Sequence, residues 1–435
     1  MRGKAAVTLL FILSIVFHSC KEEVPSVSTT PNILLIIADD FGFDACPCYS
    51  EGLQKPDMPI LESLCSNGLI FDNFYANPEC SPTRATILAG RYGVRTGVLS
   101  AEGSNQIPLS ETSIQKLLDE KASGYSHAVI GKWHLSGSSN GGASNPNQMG
   151  VGHYAGFLSG AMQDYWNWNL TTDGSIQAIS NEYATTYFTD LAIDWINTQS
   201  QPWFLWLAYT APHSPFHLPP DSLHERDNLA GDTASINANP QPYYFAMLEA
   251  LDHEVGRLLD AMTDEERANT VILFIGDNGT PRETVQAPFA PAKSKGSLYE
   301  GGIHVPLIVS GAGVSRIGER EDALINSTDI FATVAEIAGT GITQQHDGYS
   351  FKTLLSDDSD GERIVAYSEV ASQNITGWAI RDIRYKLIES ETGAQHFFDL
   401  ENDPYEQTDL MNGTLDSAQQ SAKTNLEQEA SMIRQ

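Results

Sequence analysis

The strongest constraint on this chain is a set of short apolar runs that do not alternate. Residues 32–38 (NILLIIA) form one; residues 203–207, 270–275 and 305–309 form others, and residues 127–130 a shorter one. A strand with one wet face alternates polar and apolar residues, whereas an unbroken run belongs to a strand covered on both faces. Helical patterns lie between the runs, at residues 57–66, 112–121, 180–197, 242–262 and 327–338. Buried strands alternating with helices predict an α/β domain, a large and mostly parallel sheet sandwiched by helices. After about residue 360 the pattern changes. Residues 364–369, 377–380, 384–388 and 396–400 read as short alternating strands, and residues 415–434 as a polar closing helix. The organisation expected is a principal domain over residues 31–360 and a small antiparallel-sheet subdomain over residues 361–435.

The first thirty residues belong to neither. MRGK is a basic start, and residues 7–17 are an apolar stretch of secretory length, too short for a permanent span. It ends at His18-Ser19-Cys20, before Lys21-Glu22-Glu23 and a polar tether. This resembles a bacterial lipoprotein signal: residues 1–20 are the signal, Cys20 carries the lipid, and residues 21–30 are the tether. The protein is then exported and lipid-anchored at the outer membrane, facing the periplasm or the cell surface; without the anchor it is periplasmic.

The formal charge of −30 excludes one class of partner. Such a surface repels nucleic acid, and any anionic substrate must be captured by a local basic pocket. Cysteine usage adds little. With Cys20 lipidated, Cys46, Cys48, Cys65 and Cys80 remain, and Cys46 and Cys48 are too close for an easy mutual bridge. The pattern predicts no disulfide framework and, lacking zinc-type spacing, no structural zinc.

In open α/β sheets, ligands bind beyond the carboxyl ends of the strands. Here each run ends in chemically useful groups: Asp39-Asp40, then Lys132-Trp133-His134, then His213 to His217, then Asp277-Asn278. Asp39, Asp40, Asp277 and Asn278 are oxygen donors suited to a hard divalent cation. Arg84, Lys132, His134, His213 and Lys295 are cationic or convertible groups suited to an oxyanion. Together they point to a tetrahedral anion ester as substrate. Residues 78–90 (PECSPTRATILAG) add a helix expected to start at Pro82 and end at Gly90, with Cys80 just outside its N-terminus and Arg84 on the same face. Cys80 reads either as a core thiol or as a group held where negative charge is favoured.

These residues together resemble the formylglycine-dependent sulfatases of the alkaline phosphatase superfamily. Cys80-Ser81-Pro82-Thr83-Arg84 matches the C-x-P-x-R signature, and residues 88–97 (LAGRYGVRTG) match its continuation. Residues 32–40, 131–135, 212–215, 276–279 and 295–306 match the other blocks in family order, and the tail resembles the family's C-terminal subdomain. The resemblance implies that Cys80 is oxidised to formylglycine by a formylglycine-generating or anaerobic sulfatase-maturing enzyme. The hydrated aldehyde supplies the nucleophile and a metal ligand. Ca2+, or Mg2+, would sit on Asp39, Asp40, Asp277, Asn278 and residue 80. Arg84 would hold the hydrate, Lys132 and Lys295 neutralise the transferring group, His213 protonate the leaving alcohol and His134 take the second hydroxyl's proton. His304 stands where the family usually carries arginine. Cys48 and Cys65 read as structural, with Cys46 as a further candidate.

The implied substrate is a sulfated polysaccharide fragment, algal or glycosaminoglycan. Clustered aromatics at residues 152–169, Tyr165 and Trp166 among them, suit sugar stacking or equally core packing. With His217 and His304 they are candidate substrate contacts. Two other readings stay open: a phosphonate or phosphate ester hydrolase of the same superfamily, and an inactive carbohydrate-binding lipoprotein.

Overall fold

The structure, a computed structural model, describes residues 30–103, 105–122 and 124–435. The signal segment, Cys20 and the tether up to residue 29 lie outside the described residues.

The apolar runs assemble into one ten-stranded sheet. From edge to edge the strands are Glu319–Glu321, Gly68–Phe71, Leu307–Gly311, Thr270–Gly276, Asn32–Ala38, Trp203–Ala208, Ser126–Lys132, His153–Phe157, Asn167–Thr172 and Ser175–Ser180. The central five, from Thr270–Gly276 to His153–Phe157, are parallel. Leu307–Gly311 and the terminal hairpin run against their neighbours. Leu34, Ile36 and Ala38 pack into one core, while Ile33, Leu35 and Ile37 pack into another on the opposite face. That two-sided burial explains why the central strands show no alternation.

Helices cover both faces within a few residues of their predicted ends, and the exceptions have local causes. The helix expected over residues 57–66 is Pro59–Ser66 and lacks a capping side chain of its own. Asp252, from the long helix Gln241–Ala261, instead accepts from Ile60 N at 3.0 Å and Leu61 N at 2.8 Å. The helix expected over residues 180–197 is Ala184–Ile196 because its start is taken by the hairpin strand Ser175–Ser180. That hairpin turns at Asp173-Gly174, both with positive φ. An Asp-Gly pair between two strand-like runs is a hairpin signal that the periodicity reading passed over.

The C-terminal strands Ala366–Ala371, Thr376–Arg381, Tyr385–Ser390 and Gln395–Asp399 form an antiparallel sheet in sequence order, packed by the helix Ser417–Ile433. Polar contacts fasten it to the large sheet's body. Ser368 Oγ donates to Ala76 O at 2.6 Å, and Lys386, fully buried, pairs with Glu300 and Glu406 at 2.8 Å each.

One expectation is corrected. Cys48 and Cys65 form a disulfide, although no framework was expected from the cysteine pattern. Their separation of 17 residues carries no signature; packing of the Pro59–Ser66 helix on the preceding loop brings their Cα atoms to 6.3 Å. Cys46 and Cys80 are free and buried.

Candidate active site

Strand register assembles the site. Ala38 lies opposite Gly276 and Ile37 opposite Ala208, while Ala208 also faces Gly131. Asp39, Asp277, Lys132 and the loop carrying His213 therefore leave neighbouring strands at one level, at the carboxyl edge of the sheet. The helix Cys80–Ala89 points its start at this edge. It begins at Cys80 itself, not at Pro82 as the sequence suggested, because Glu79 takes the extended N-cap conformation. Gly90 ends it in the left-handed region at φ 62°, and a side chain there would strike Phe331.

The ligand atoms of Asp39, Asp40, Cys80 and His213 lie within 4.8 Å of one another. Cys80 Sγ donates to Asp39 Oδ1 at 3.3 Å, and Lys132 Nζ pairs closely with Asp39 Oδ2. Lys295 Nζ is 2.6 Å from Asp40 Oδ2. Arg84, wholly buried, donates from Nη2 to Asp277 Oδ2 at 2.8 Å and from Nη1 to the Lys132 carbonyl at 2.9 Å. Asp277 Oδ1 accepts from Asp40 N at 3.0 Å, a bond that holds Asp40 in a left-handed backbone at φ 73°. Tyr244 locks the same residue from behind, its hydroxyl donating to Asp40 O at 2.8 Å.

The donor set fits a divalent cation. Asn278 Nδ2 faces Asp40 Oδ1 at 2.8 Å, and Asn278 Oδ1 is buried with no partner. A buried amide oxygen without a donor is costly, and a hard cation beside the carboxylates would satisfy it. Of the predicted ligands, Asp277 is already engaged by Arg84 and the Asp40 amide, whereas His213, expected only as an acid, joins the innermost group.

Electrostatics divide these groups. Burial alone would raise the Asp40 carboxyl, but Lys295, His213 and Lys132 outweigh it and hold Asp40 well below its ordinary value. Asp277 is pushed up to about 6 by burial and by Asp39, against the pull of Arg84. Burial, reinforced by Asp39, also pushes the Cys80 thiol up. Desolvation thus overrides the helix N-terminus, and an unmodified Cys80 stays a thiol. His134 is pushed well down by burial and then by Lys132 and Arg84; His213 is lowered to about 3 by burial and then Lys295. His213 Nδ1 lies 2.7 Å from Ser214 O, so it carries the proton and Nε2 faces Asp40 Oδ2 at 3.8 Å.

A cavity of about 1070 Å³ opens above these groups and reaches Asp40, Cys80, His134, His213 and Lys295. Its upper walls come from residues 101–103, 214–216, 281–283 and 372–374, the last from the C-terminal sheet. Sequence reasoning missed several supports. Ser81 Oγ donates to His134 O at 2.8 Å, and Gly160 packs so closely that a Cβ would lie 2.4 Å from the His134 ring. Only the serine, next to the signature cysteine, left any trace in the sequence.

The candidate sugar contacts fall elsewhere. Tyr165 is 2 % exposed, and its hydroxyl lies 2.9 Å from Thr210 O and 2.7 Å from His213 O, holding up the His213 loop. Trp166, Tyr165 and Tyr183 enclose His217, and none of Tyr165, Trp166 and His217 lines the cavity. His304 lies in a separate depression, stacked between Phe43 and Tyr75, with Nε2 2.7 Å from Asp72 O. None of the four reaches the cavity above Cys80; ring packing holds Tyr165, Trp166 and His217 beside its wall, and His304 also pairs with Glu300 at 3.2 Å.

Residues 31–340 match the Sulfatase family, and residues 293–435 match the C-terminal region of N-sulphoglucosamine sulphohydrolase. The chain is 29% identical over 437 residues to the uncharacterized sulfatase YdeN of Escherichia coli (strain K12), covering 87% of this chain and 72% of that protein. The structure of Ps i-CgsB in complex with k-i-k-neocarrahexaose superposes with a TM-score of 0.79 at 25% identity, over 93% of this chain and 92% of that one. A structure in complex with its substrate D-glucosamine-2-N,6-O-disulfate has the same fold, with a TM-score of 0.76 at 21% identity over 93% and 98% of the two chains. With the first match spanning most of the large-sheet region, the chain belongs to the sulfatase family of the alkaline phosphatase superfamily and is a sulfuric ester hydrolase.

Proposed function

We propose that this protein removes sulfate esters from fragments of sulfated polysaccharides, with an oxidised Cys80 as nucleophile and a divalent cation, Ca2+ or Mg2+, beside it. One observation carries the reading: Cys80 lies among carboxylates and cations at the floor of a cavity large enough for more than one sugar ring. The thiol itself is a poor nucleophile there, since burial keeps it protonated. Oxidised to formylglycine and hydrated, residue 80 would offer two hydroxyls, one as nucleophile towards sulfur and one whose deprotonation would release sulfate. Asp39, Asp40, Asp277 and Asn278 would hold the cation, which would supply positive charge for the sulfate oxygens.

The rest is done by the chain's own groups. Lys132 and Lys295 flank the floor and offset the negative charge of the sulfuryl group as it transfers. Arg84 orients Asp277 and brings a fixed charge under residue 80. His213 Nε2 faces the site and would carry the proton to the departing sugar oxygen; the bound sulfate opposes the lysine charges that lower its affinity for a proton. His134, neutral and with a buried unpartnered Nδ1, would accept the proton whose loss frees sulfate.

Carbohydrate substrates are supported by the sugar ligands of the two structures compared above. Export with a lipid on Cys20, and maturation of Cys80 by a dedicated enzyme, belong to the same reading; the Cys48–Cys65 disulfide suits an oxidising compartment. The test pairs mass spectrometry of the Cys80 peptide with sulfate release from a panel of sulfated oligosaccharides. An unmodified Cys80 from a maturation-competent host, together with no release on any sugar, would refute it.

A further inference from the structure

The cleft carries one cation that the proposed chemistry does not use. Arg282 is exposed on the cavity wall, on the loop that follows Asp277 and Asn278. Among the described residues it is the one lysine or arginine with no hydrogen bond or ion pair to the protein. The others, even exposed ones such as Lys121, Arg267 and Arg320, each find a carboxylate or a carbonyl. In a chain with 55 acidic and 25 basic residues, an unpaired guanidinium at a cleft needs an explanation. Even Glu283, next in sequence, makes no ion pair with it.

The loop beneath is rigidly held. Thr280 is buried and donates from Oγ1 to Asp44 Oδ1 at 2.6 Å, and Lys295 N donates to Thr280 O at 3.1 Å. Thr284 N and Val285 N both donate to Pro281 O, at 3.0 and 2.9 Å, and Gln286 N donates to Asp44 Oδ2 at 2.7 Å. Arg282 therefore stands on a tight turn pinned on both sides, and little backbone entropy is lost when it takes a ligand. Glu79, Glu102 and Glu283 also line the cavity, so Arg282 stands as a cation on a wall that is otherwise rich in carboxylates.

We infer that Arg282 binds a second anionic group of the substrate, distinct from the sulfate being cleaved, and so selects polyanionic sugars. The inference rests on the sulfatase reading of the site. A guanidinium forks onto the paired oxygens of a sulfate or a carboxylate, so the shared chemistry is an oxyanion on the same or an adjoining sugar ring.

Matched pairs of sulfated sugars test it, each pair differing by one added sulfate or one added carboxylate. The wild type prefers the doubly anionic member of a pair, by kcat/KM. Arg282→Ala lowers that preference about fivefold, as for an exposed ion pair, while Arg282→Lys keeps part of it and Arg282→Glu removes it. Whichever type of pair loses its preference shows whether the partner is sulfate or carboxylate. Unchanged preference in Arg282→Ala on every pair overturns the assignment. Calorimetric binding of the same pairs to the turnover-dead Cys80→Ala protein, with and without the Arg282 substitution, reads the contact without catalysis. Absence of sulfate release in every assay would thus count against the sulfatase reading, whereas equal binding with and without Arg282 would count against this one.

Discussion

The guanidinium of Arg84 sits 2.8 Å from Asp277 Oδ2 with both side chains fully buried, and Asp39 Oδ2 lies 3.8 Å from the same nitrogen. One cation thus ties the first helical turn after Cys80 to two strand ends. Removing one partner of such a buried pair leaves uncompensated charge. Arg84→Ala is expected to lower the unfolding free energy of the metal-free protein by about 3 kcal/mol or more, and Arg84→Lys by less. Urea denaturation measures both.

The unpartnered Asn278 Oδ1 and the crowded carboxylates suit a divalent cation, and the proposed ion makes a measurable difference. Added Ca2+ should raise the melting temperature of chelator-treated protein, by the equivalent of about 2.7 kcal/mol at a hundredfold excess over Kd. Asp40→Asn should remove most of the gain. A melting curve indifferent to Ca2+, Mg2+ and chelator alike would count against the cation.

The disulfide is a separate stabiliser. Cys48 and Cys65 close a loop of 17 residues, for which chain-entropy arguments give about 3 kcal/mol. The double substitution Cys48→Ser, Cys65→Ser should lower the melting temperature by several degrees, and reductant should do the same to the wild type but not to the variant.

One source of acid sensitivity away from the metal groups is His217. Burial in its aromatic box pushes His217 down from 6.5 to about 4, against the pull of the Pro215 carbonyl. The unfolded chain then binds this proton more readily. The stability concerned is present above pH 6.5 and is lost as pH falls through about 4. In His217→Phe, the melting temperature should decline less steeply over that window than in the wild type.

Much of this molecule was legible in its sequence. Unbroken apolar runs identified the central strands because burial on both faces leaves no polar alternation. The groups that end those strands were recognisable because a parallel sheet delivers its strand ends to one edge. Gly90 marked a helix end because only a residue without a side chain sits easily in the left-handed region beside Phe331.

Other features were decided by packing between segments far apart in the chain. The aromatic run near Tyr165 could serve sugar or core, and only the fold, by closing those rings around His217, made it core. The disulfide, the capping of one helix by Asp252 and the isolation of Arg282 depend in the same way on which surfaces meet. Cys80 shows the division most clearly. Local sequence placed it at a helix start, where backbone dipoles favour negative charge, but the folded chain buries it beside Asp39 and keeps the thiol protonated. Propensity and periodicity act over a few residues and are written in the sequence; desolvation and charge pairing act across space, and exist only once the chain has closed around the site.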